Sequence, residues 1–164
     1  MMSGDETFVK QRALALWQEA HELHRRGNLR RAIDLYRRSI EIYPTAEAHT
    51  CRGWALSVLG QFDEAIEECK RAIAIDPDFG NPYNDIGSYL VVQGRLEEAI
   101  PWLEKAKAAP SYEPRHMAFM NLGRVYAAKK MYLRAIREFE AALALKPGDA
   151  TCEAVLRELR GSLN

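Results

Sequence analysis

The polar and apolar positions of this chain repeat in a fixed order at nearly regular intervals. A segment with the order glycine, polar, apolar, polar, polar, alanine, isoleucine begins at Gly27, Gly60 and Gly94. A fourth segment begins at Lys130 and keeps the alanine and the isoleucine. The alanines are 33, 34 and 36 residues apart, and they are Ala32, Ala65, Ala99 and Ala135. Such self-similarity predicts a stack of helical units, because no single unit can bury its own apolar face.

Small residues and prolines at fixed distances from these alanines predict two helices in each unit. A second small residue lies 12 positions before each alanine, at Ala20, Gly53, Gly87 and Gly123. A proline lies 12 positions after three of them, at Pro44, Pro77 and Pro147. Antiparallel helices approach closely where one presents glycine or alanine to the other, and a proline ends one helix before the next begins. We therefore predict four helical hairpins.

Capping signals set the ends of the predicted helices. Ser3 and Glu6 form a capping box for a first helix that ends near Arg26. Asn81 is the predicted N-cap before Pro82, and Asp149 is the predicted N-cap of a final helix. The remaining helices are predicted at 29–43, 46–59, 62–75, 82–92, 96–108, 115–129, 132–145 and 150–160. Two extra residues lengthen the junction at 109–114, and Pro101 predicts a kink or a tight first turn.

The pattern resembles the tetratricopeptide repeat family, whose unit is a helix–turn–helix of about 34 residues. The family has small residues at repeat positions eight and twenty, an aromatic residue near position twenty-four and proline at thirty-two. Position twenty-four holds Tyr36, Cys69, Leu103 and Phe139 here. The resemblance implies an all-α fold, a right-handed α-solenoid of four hairpins plus a C-terminal capping helix. We expect one domain over 1–164, with repeats at about 13–45, 46–79, 80–113 and 116–149 and the capping helix at 150–160.

Composition narrows the classes of function. Lys and Arg number 23, and so do Asp and Glu, so the net charge is zero. This balance argues against the basic footprint of a nucleic-acid-binding protein. No signal peptide is apparent, no apolar run is long enough to span a bilayer, and the three cysteines form no disulfide framework. We expect a cytoplasmic protein without membrane insertion.

Motifs for catalysis or for cofactor binding are not found in the sequence. His21 and His24 lie at i and i+3, but two ligands are too few for a closed zinc site. Phosphate-binding, dinucleotide-binding and nucleophile-elbow motifs are lacking. Cys69 is predicted to be a buried small hydrophobe, and Glu67 and Glu68 are predicted on the exposed faces of second helices. We expect no enzymatic activity, no cofactor and no metal.

The resemblance places a peptide-binding groove on the first helices of the hairpins. The residues it assigns to this concave surface are Leu14, Trp17, His21, Thr50, Trp54, Asn81, Asn84, Ser88, Met117, Met120 and Arg124. Tryptophan and methionine there suit the apolar anchor of a peptide or helix, and the amides and arginine suit its backbone or a carboxylate. A small register error would instead put Trp17 and Trp54 between hairpins. The basic residues that hold chaperone carboxyl termini in some family members are lacking.

An arginine cluster surrounds the first predicted hairpin. Its members are Arg25, Arg26, Arg30, Arg31, Arg37 and Arg38. Arg30 and Arg31 lie in an opening helical turn, where the helix dipole disfavours cations. The cluster is a candidate patch for an acidic partner or nucleic acid. The alternative is a solvated face neutralised by Asp34 and Glu41.

These observations favour a non-enzymatic protein–protein interaction module or adaptor that binds a peptide or helical segment of another protein. One alternative is a self-associating scaffold, which would form a homo-oligomer. Another is an RNA-binding helical repeat that uses the arginine cluster, although the neutral charge makes nucleic acid the weaker expectation.

Overall fold

The computed structural model describes residues 4–163, and these residues form nine α-helices. The helices are α1 (Gly4–Arg25), α2 (Leu29–Ile42), α3 (Ala46–Val58), α4 (Phe62–Ile75), α5 (Asn81–Val92), α6 (Leu96–Ala108), α7 (His116–Ala128), α8 (Tyr132–Leu145) and α9 (Ala150–Gly161). Helices α1 and α2, α3 and α4, α5 and α6, and α7 and α8 pack as consecutive pairs. The all-α class and the paired-helix architecture predicted from the sequence are confirmed.

The turn inside each hairpin has the same backbone geometry in all four copies. Gly27, Gly60 and Gly94 have φ values of 79°, 78° and 75°. Lys130 takes the glycine position in the fourth copy and also has a positive φ, of 60°. Its N–H donates to the carbonyl of Ala127 at 2.9 Å, as that of Gly94 donates to Val91 at 3.0 Å. The left-handed helix end therefore persists where the glycine is lost.

Close contact between the two helices of a hairpin explains the small residues upstream of each turn. A Cβ atom on Gly87 would lie 2.5 Å from the side chain of Leu103. A Cβ atom on Gly123 would lie 2.7 Å from the ring of Phe139. Leu103 and Phe139, both at repeat position twenty-four, are fully buried. The first helix must lack a side chain at this point because the second helix fills the space.

The chain divides into two compact units, residues 1–77 and residues 78–164. In the first unit α2 also packs against α3, and Ala20, Ala32, Tyr36 and Ala55 are fully buried in its core. The second unit contains α5 to α9, and α9 packs on α8. Each unit therefore has its own hydrophobic core.

The long junction between α6 and α7 is held by hydrogen bonds within the second unit. Arg115 donates to the carbonyls of Lys107 and Ala109, at 2.6 and 2.7 Å. The N–H of Gly80 donates to the carbonyl of Ser111 at 2.7 Å. Arg115 thus satisfies carbonyl groups at the end of α6 that the helix itself leaves without donors.

Helix α9 covers the apolar face of the last hairpin. The Asp149 carboxylate caps it by accepting from the N–H of Cys152 at 2.9 Å. Cys152, Leu156 and Leu159 are buried in the same cluster as Phe139. The predicted cap and inward face of this helix are confirmed.

Two local predictions differ from the structure. Asn81 is the first residue of α5, and Gly80 is its N-cap. Pro101 lies inside α6 and beyond its first turn, so of the two effects predicted for it the tight first turn is wrong. The predicted capping box begins at Ser3, which lies outside the described residues.

Candidate protein-binding surface

An aromatic surface is built in the first unit from side chains of α1 and α3. Trp54 on α3 is 51% exposed, and its ring centroid lies 4.4 Å from that of His24, in the last turn of α1. Trp17 stacks nearly parallel on His21, with centroids 5.1 Å apart and an angle of 10° between the planes. We call Trp17, His21, His24 and Trp54 the aromatic face. It offers flat apolar rings beside polar ring nitrogens.

Tyr36 supports this face from below. Its hydroxyl oxygen lies 3.4 Å from Nδ1 of His24 and 3.5 Å from Nδ1 of His21. Burial raises the pKa of the Tyr36 hydroxyl. Burial, together with the neighbouring His21, lowers the pKa of His24. His24 is therefore neutral at pH 7, and its ring adds no fixed charge to the face.

Trp17 lies at the boundary between the core and an open pocket. Its ring packs against the buried cluster around Tyr36, and its Nε1 is buried without a hydrogen-bond partner among the described residues. The same side chain lines a pocket of about 310 Å³ next to α1. The lining residues are Lys10, Ala13, Leu14, Trp17, Ser39, Tyr43, Thr45 and Glu47. Trp17 therefore contacts both the core of the first unit and an open pocket.

The pocket beside Trp17 was not expected in full from the sequence. Leu14 and Glu47 lie on the first helices of their hairpins, at positions that the alignment of the repeats identifies. Leu14 is exposed at the pocket. Lys10 and Tyr43 come from α1 and the end of α2, and the ammonium group lies 4.9 Å from the ring centroid. Their only sequence signal is the extra length of the first helix, because hairpin packing brings them together.

Thr50, another predicted groove residue of the first unit, is buried and has its hydroxyl occupied. It donates to the carbonyl of Ala46, one turn earlier in α3, at 2.8 Å. The side chain therefore has no free donor to offer a ligand.

Two predicted groove residues of the second unit, Asn84 and Arg124, are joined through Asn121 into a polar chain across α5 and α7. Nδ2 of Asn121 donates to Oδ1 of Asn84 at 2.9 Å, and the Arg124 guanidinium donates to Oδ1 of Asn121 at 2.7 Å. Both asparagines are buried, whereas Arg124 is exposed. Asn81, Ser88 and Met117 are partly buried. The guanidinium is the part of this chain that solvent or a ligand can reach.

Met120 is buried in the core. It is only 4% exposed and belongs to the buried cluster that also contains Phe139 and Leu156. The prediction that it anchors a ligand on an open surface is therefore corrected: its side chain faces inward. Assigning residues to a surface from their repeat position fails in this way because successive residues of a helix point about 100° apart.

Asp85 lies beside this polar chain on α5. Burial raises the pKa of its carboxyl group to about 7, and a hydrogen bond with Asn84 opposes the rise. The carboxyl group is thus partly protonated at neutral pH.

Glu68 is buried, which corrects the expectation that it lies on an exposed face. Its carboxylate lies 2.7 Å from Nδ1 of His49, and it accepts from Arg52 at 2.5 Å and from Arg71 at 2.9 Å. Burial opposes its ionisation, but the hydrogen bond with His49 and the charge of Arg52 prevail and lower its pKa. This carboxylate connects α3 to α4 inside the first unit.

The arginine cluster is divided between paired and unpaired members. Arg25 and Arg26 both pair with Glu22, and Arg37 pairs with Asp34 and Glu41. Arg30, Arg31 and Arg38 are exposed and form no ion pair within residues 4–163. Asp34 and Glu41, which were expected to neutralise the cluster, therefore form ion pairs with Arg37 alone among the residues that the structure describes.

Other kinds of site leave no trace in the part of the chain that the structure describes. Cys51, Cys69 and Cys152 form no disulfide bond, and Cys69 is buried as predicted. Residues 4–163 contain no group of three or more histidine, cysteine or carboxylate side chains able to hold a metal ion. None of the described helices is both long and apolar enough to cross a membrane.

Family models described as tetratricopeptide repeat match residues 46–79 and 116–149. These are the second and fourth of the hairpins described above. The chain is a tetratricopeptide repeat protein. Such proteins form a class of protein–protein interaction modules, and the fold itself does not specify the partner.

Curated relatives share this repeat over part of their length. The chain is 38% identical over 84 residues to the small glutamine-rich tetratricopeptide repeat-containing protein 2 of Mycosarcoma maydis. It is 35% identical over 125 residues to the type IV pilus assembly protein PilF of Pseudomonas aeruginosa. These matches cover 50% and 73% of this tetratricopeptide repeat chain, but only 24% and 48% of the two relatives.

Solved structures show the same fold. The Pseudomonas aeruginosa PilF structure superposes with a TM-score of 0.84 at 29% identity, covering 92% of this chain and 68% of that chain. YrrB, described as a tetratricopeptide repeat protein with an unusual peptide-binding site, superposes with a TM-score of 0.72 at 19% identity. That match covers 88% of this chain and 74% of YrrB, and at this identity it supports the fold alone.

Proposed function

We propose that this protein is an adaptor that binds a peptide or helical segment of another protein on the aromatic face of its first unit. The observation that carries the proposal is the half-exposed ring of Trp54, held against the buried ring of His24. An exposed tryptophan fixed by a neighbouring ring loses little conformational freedom when a ligand covers it. Such residues dominate the binding energy of protein interfaces.

The surroundings of Trp54 suit a ligand with both apolar and polar groups. Trp17 and Leu14 extend the apolar surface toward the pocket of about 310 Å³, which can receive a side chain. His21 contributes a ring nitrogen at the surface, in stacking contact with Trp17. An extended peptide or one face of a helix combines these features.

The second unit has an exposed polar side chain of its own. Arg124 has one guanidinium nitrogen bound to Asn121, and its remaining donors face outward from an exposed side chain. Guanidinium groups bind carboxylates and backbone carbonyls with defined geometry. In this proposal Trp54 contributes most of the affinity.

Replacement of Trp54 tests the proposal. The partner recovered by affinity capture from the native cell is titrated against the wild type, Trp54→Ala and Trp54→Phe. Loss of the ring should weaken binding by about 2 kcal/mol, which is about thirtyfold, and phenylalanine should restore part of it.

Leu133→Ala is the matched control, because Leu133 is an exposed apolar residue on a second helix. It should leave the affinity unchanged. Equal affinities for the wild type and Trp54→Ala, with unchanged circular dichroism, would exclude the aromatic face as the binding surface. Binding that is replaced by concentration-dependent self-association in light scattering would favour a scaffold instead.

A further inference from the structure

The charge of the first unit is unevenly distributed around helix α2. Residues 21–41 contain six arginines and three carboxylates. The carboxylates are already occupied: Glu22 by Arg26 at 2.8 Å, and Asp34 and Glu41 by Arg37 at 2.7 and 2.5 Å. The pairing leaves an excess of positive charge that the hairpin itself does not neutralise.

The excess is concentrated on one end and one side of α2. Arg30 and Arg31 are exposed in its first turn, and neither forms an ion pair with any described residue. Arg38 lies two turns beyond Arg31, on the same side of the helix. It influences Asp34 only through space, where Arg37 makes the hydrogen bond. Three guanidinium groups therefore remain available to an anionic ligand.

A depression lined by both polar and apolar side chains lies beside Arg30. It has a volume of about 540 Å³ and is lined by Arg30, Ile33, Leu59 and Gln61. Leu59, at the turn between α3 and α4, is 42% exposed, and the preceding Val58 is 58% exposed. Exposed aliphatic side chains beside polar or charged groups are typical of surfaces that bind another molecule.

We propose that this basic edge, made of Arg30, Arg31, Arg38, Ile33 and Leu59, binds an acidic protein segment that also carries an aliphatic side chain. The carboxylates pair with the guanidinium groups, and the aliphatic side chain enters the depression beside Leu59. The basic edge is formed by α2 and the α3–α4 turn, whereas the aromatic face is formed by α1 and α3. It is thus a second surface, and it does not depend on the function proposed above.

The composition of the edge favours protein over nucleic acid or a membrane as the ligand. Single-stranded nucleic acid is held mainly by aromatic stacking and an extended basic track. The residues that line the depression include no aromatic side chain, and the chain as a whole has no net charge. An anionic lipid surface is recognised by longer runs of basic residues than three arginines. A carboxylate-rich segment with a leucine matches both the arginines and the aliphatic side chains of the edge.

Charge reversal at two positions separates a binding role from a purely structural one. In α4 and α6 the residues equivalent to Arg30 and Arg31 are acidic, Asp63–Glu64 and Glu97–Glu98, and these helices form the same hairpins. The variant Arg30→Glu/Arg31→Glu should therefore fold, and it should melt at a higher temperature because acidic side chains suit the first turn of a helix.

The probe is a fluorescent synthetic peptide of glutamates interrupted by leucines. The wild type should bind it with an affinity that falls as salt is added, and the double variant should bind it at least about tenfold more weakly. Leu59→Ser, or a peptide with serine in place of leucine, should also weaken binding. Arg157→Ser, a change of an exposed arginine on α9, should leave it unaltered.

Several results would overturn the proposal. The first is a wild type that does not bind the glutamate–leucine peptide, and the second is equal binding by the wild type and the double variant. Tighter binding of single-stranded RNA or of phosphatidylserine vesicles than of the peptide would also overturn it. If the double variant does not fold, Arg30→Gln/Arg31→Gln removes the charges without reversing them, and the same comparison applies.

Discussion

The imidazole Nδ1 of His49 and the carboxylate of Glu68 lie 2.7 Å apart inside the first unit. Glu68 is only 3% exposed, and it is also the acceptor for two arginines. A single buried carboxylate therefore holds three nitrogen-bearing side chains. Its loss would leave Arg52 and His49 without their shared acceptor.

Glu68→Ala should lower the free energy of unfolding by roughly 3 kcal/mol, because removing one partner of a buried pair leaves its counter-charge unmatched. Urea unfolding followed by circular dichroism measures the change. Glu67→Ala is the control, since Glu67 is exposed and pairs with Lys70 at the surface, where the expected change is below about 1 kcal/mol. Equal effects of the two variants would contradict the burial of Glu68.

The same carboxylate should make stability depend on acid pH. The folded protein lowers the pKa of Glu68 below its ordinary value of 4.5. Its contribution to stability is therefore complete above pH 4.5 and is lost as the pH falls through the folded pKa. Glu68→Gln should flatten this part of the stability profile between about pH 5 and pH 2. A wild-type and variant pair with parallel profiles would show that Glu68 does not titrate in this way.

Asp85 should affect the pH dependence of stability in the opposite direction from Glu68. Burial raises the pKa of its carboxyl group to about 7 from an ordinary value of 3.8. Between these two values the folded state holds the proton more tightly than the unfolded state, so the free energy of unfolding falls as the pH rises. Asp85→Asn should remove this slope and be more stable than the wild type at pH 8. Thermal melting at pH 5 and pH 8 makes the comparison, and a wild-type advantage at pH 8 would disprove the raised pKa.

Gly123→Ala should lower the stability of the protein strongly, although it adds only one methyl group. The added Cβ would meet three ring atoms of Phe139 at 2.7 to 3.1 Å. Overpacking of this kind costs about 1–3 kcal/mol. The double variant Gly123→Ala/Phe139→Leu should recover part of the loss because a smaller side chain makes room. Gly161→Ala, where no atom lies within 4 Å, is the control and should not destabilise the protein.

Lys130→Gly should stabilise the protein. Lys130 has a φ of 60°, in the left-handed region that glycine occupies at the other three turns. Relief of this conformation is worth about 1 kcal/mol. A rise in melting temperature is the expected result. Ala128→Gly, at the last residue of α7, should lower it slightly, and a drop for both variants would mean that the turn is not strained.

The sequence by itself determined the repeat, the order of the helices and the closure of each hairpin. The sequence was sufficient at positions such as Gly94, Ala99 and Gly87 because local geometry restricts the residue there. The restriction is either a left-handed turn or a helix contact that leaves no room for a larger side chain. The cap by Asp149 is equally local, since its acceptor and donor are three residues apart. The altered turn at Lys130 keeps its place because its hydrogen bonds involve only neighbouring residues.

Only the tertiary structure decided which side chains of a helix face outward. Trp54 is exposed and Met120 is buried, although both belong to first helices and both were assigned to a ligand surface. Glu68 is enclosed although its neighbour Glu67 is exposed. Successive residues point about 100° apart, so a small rotation of a packed helix exchanges the two environments. That rotation is set by contacts between helices, which no single stretch of the chain contains.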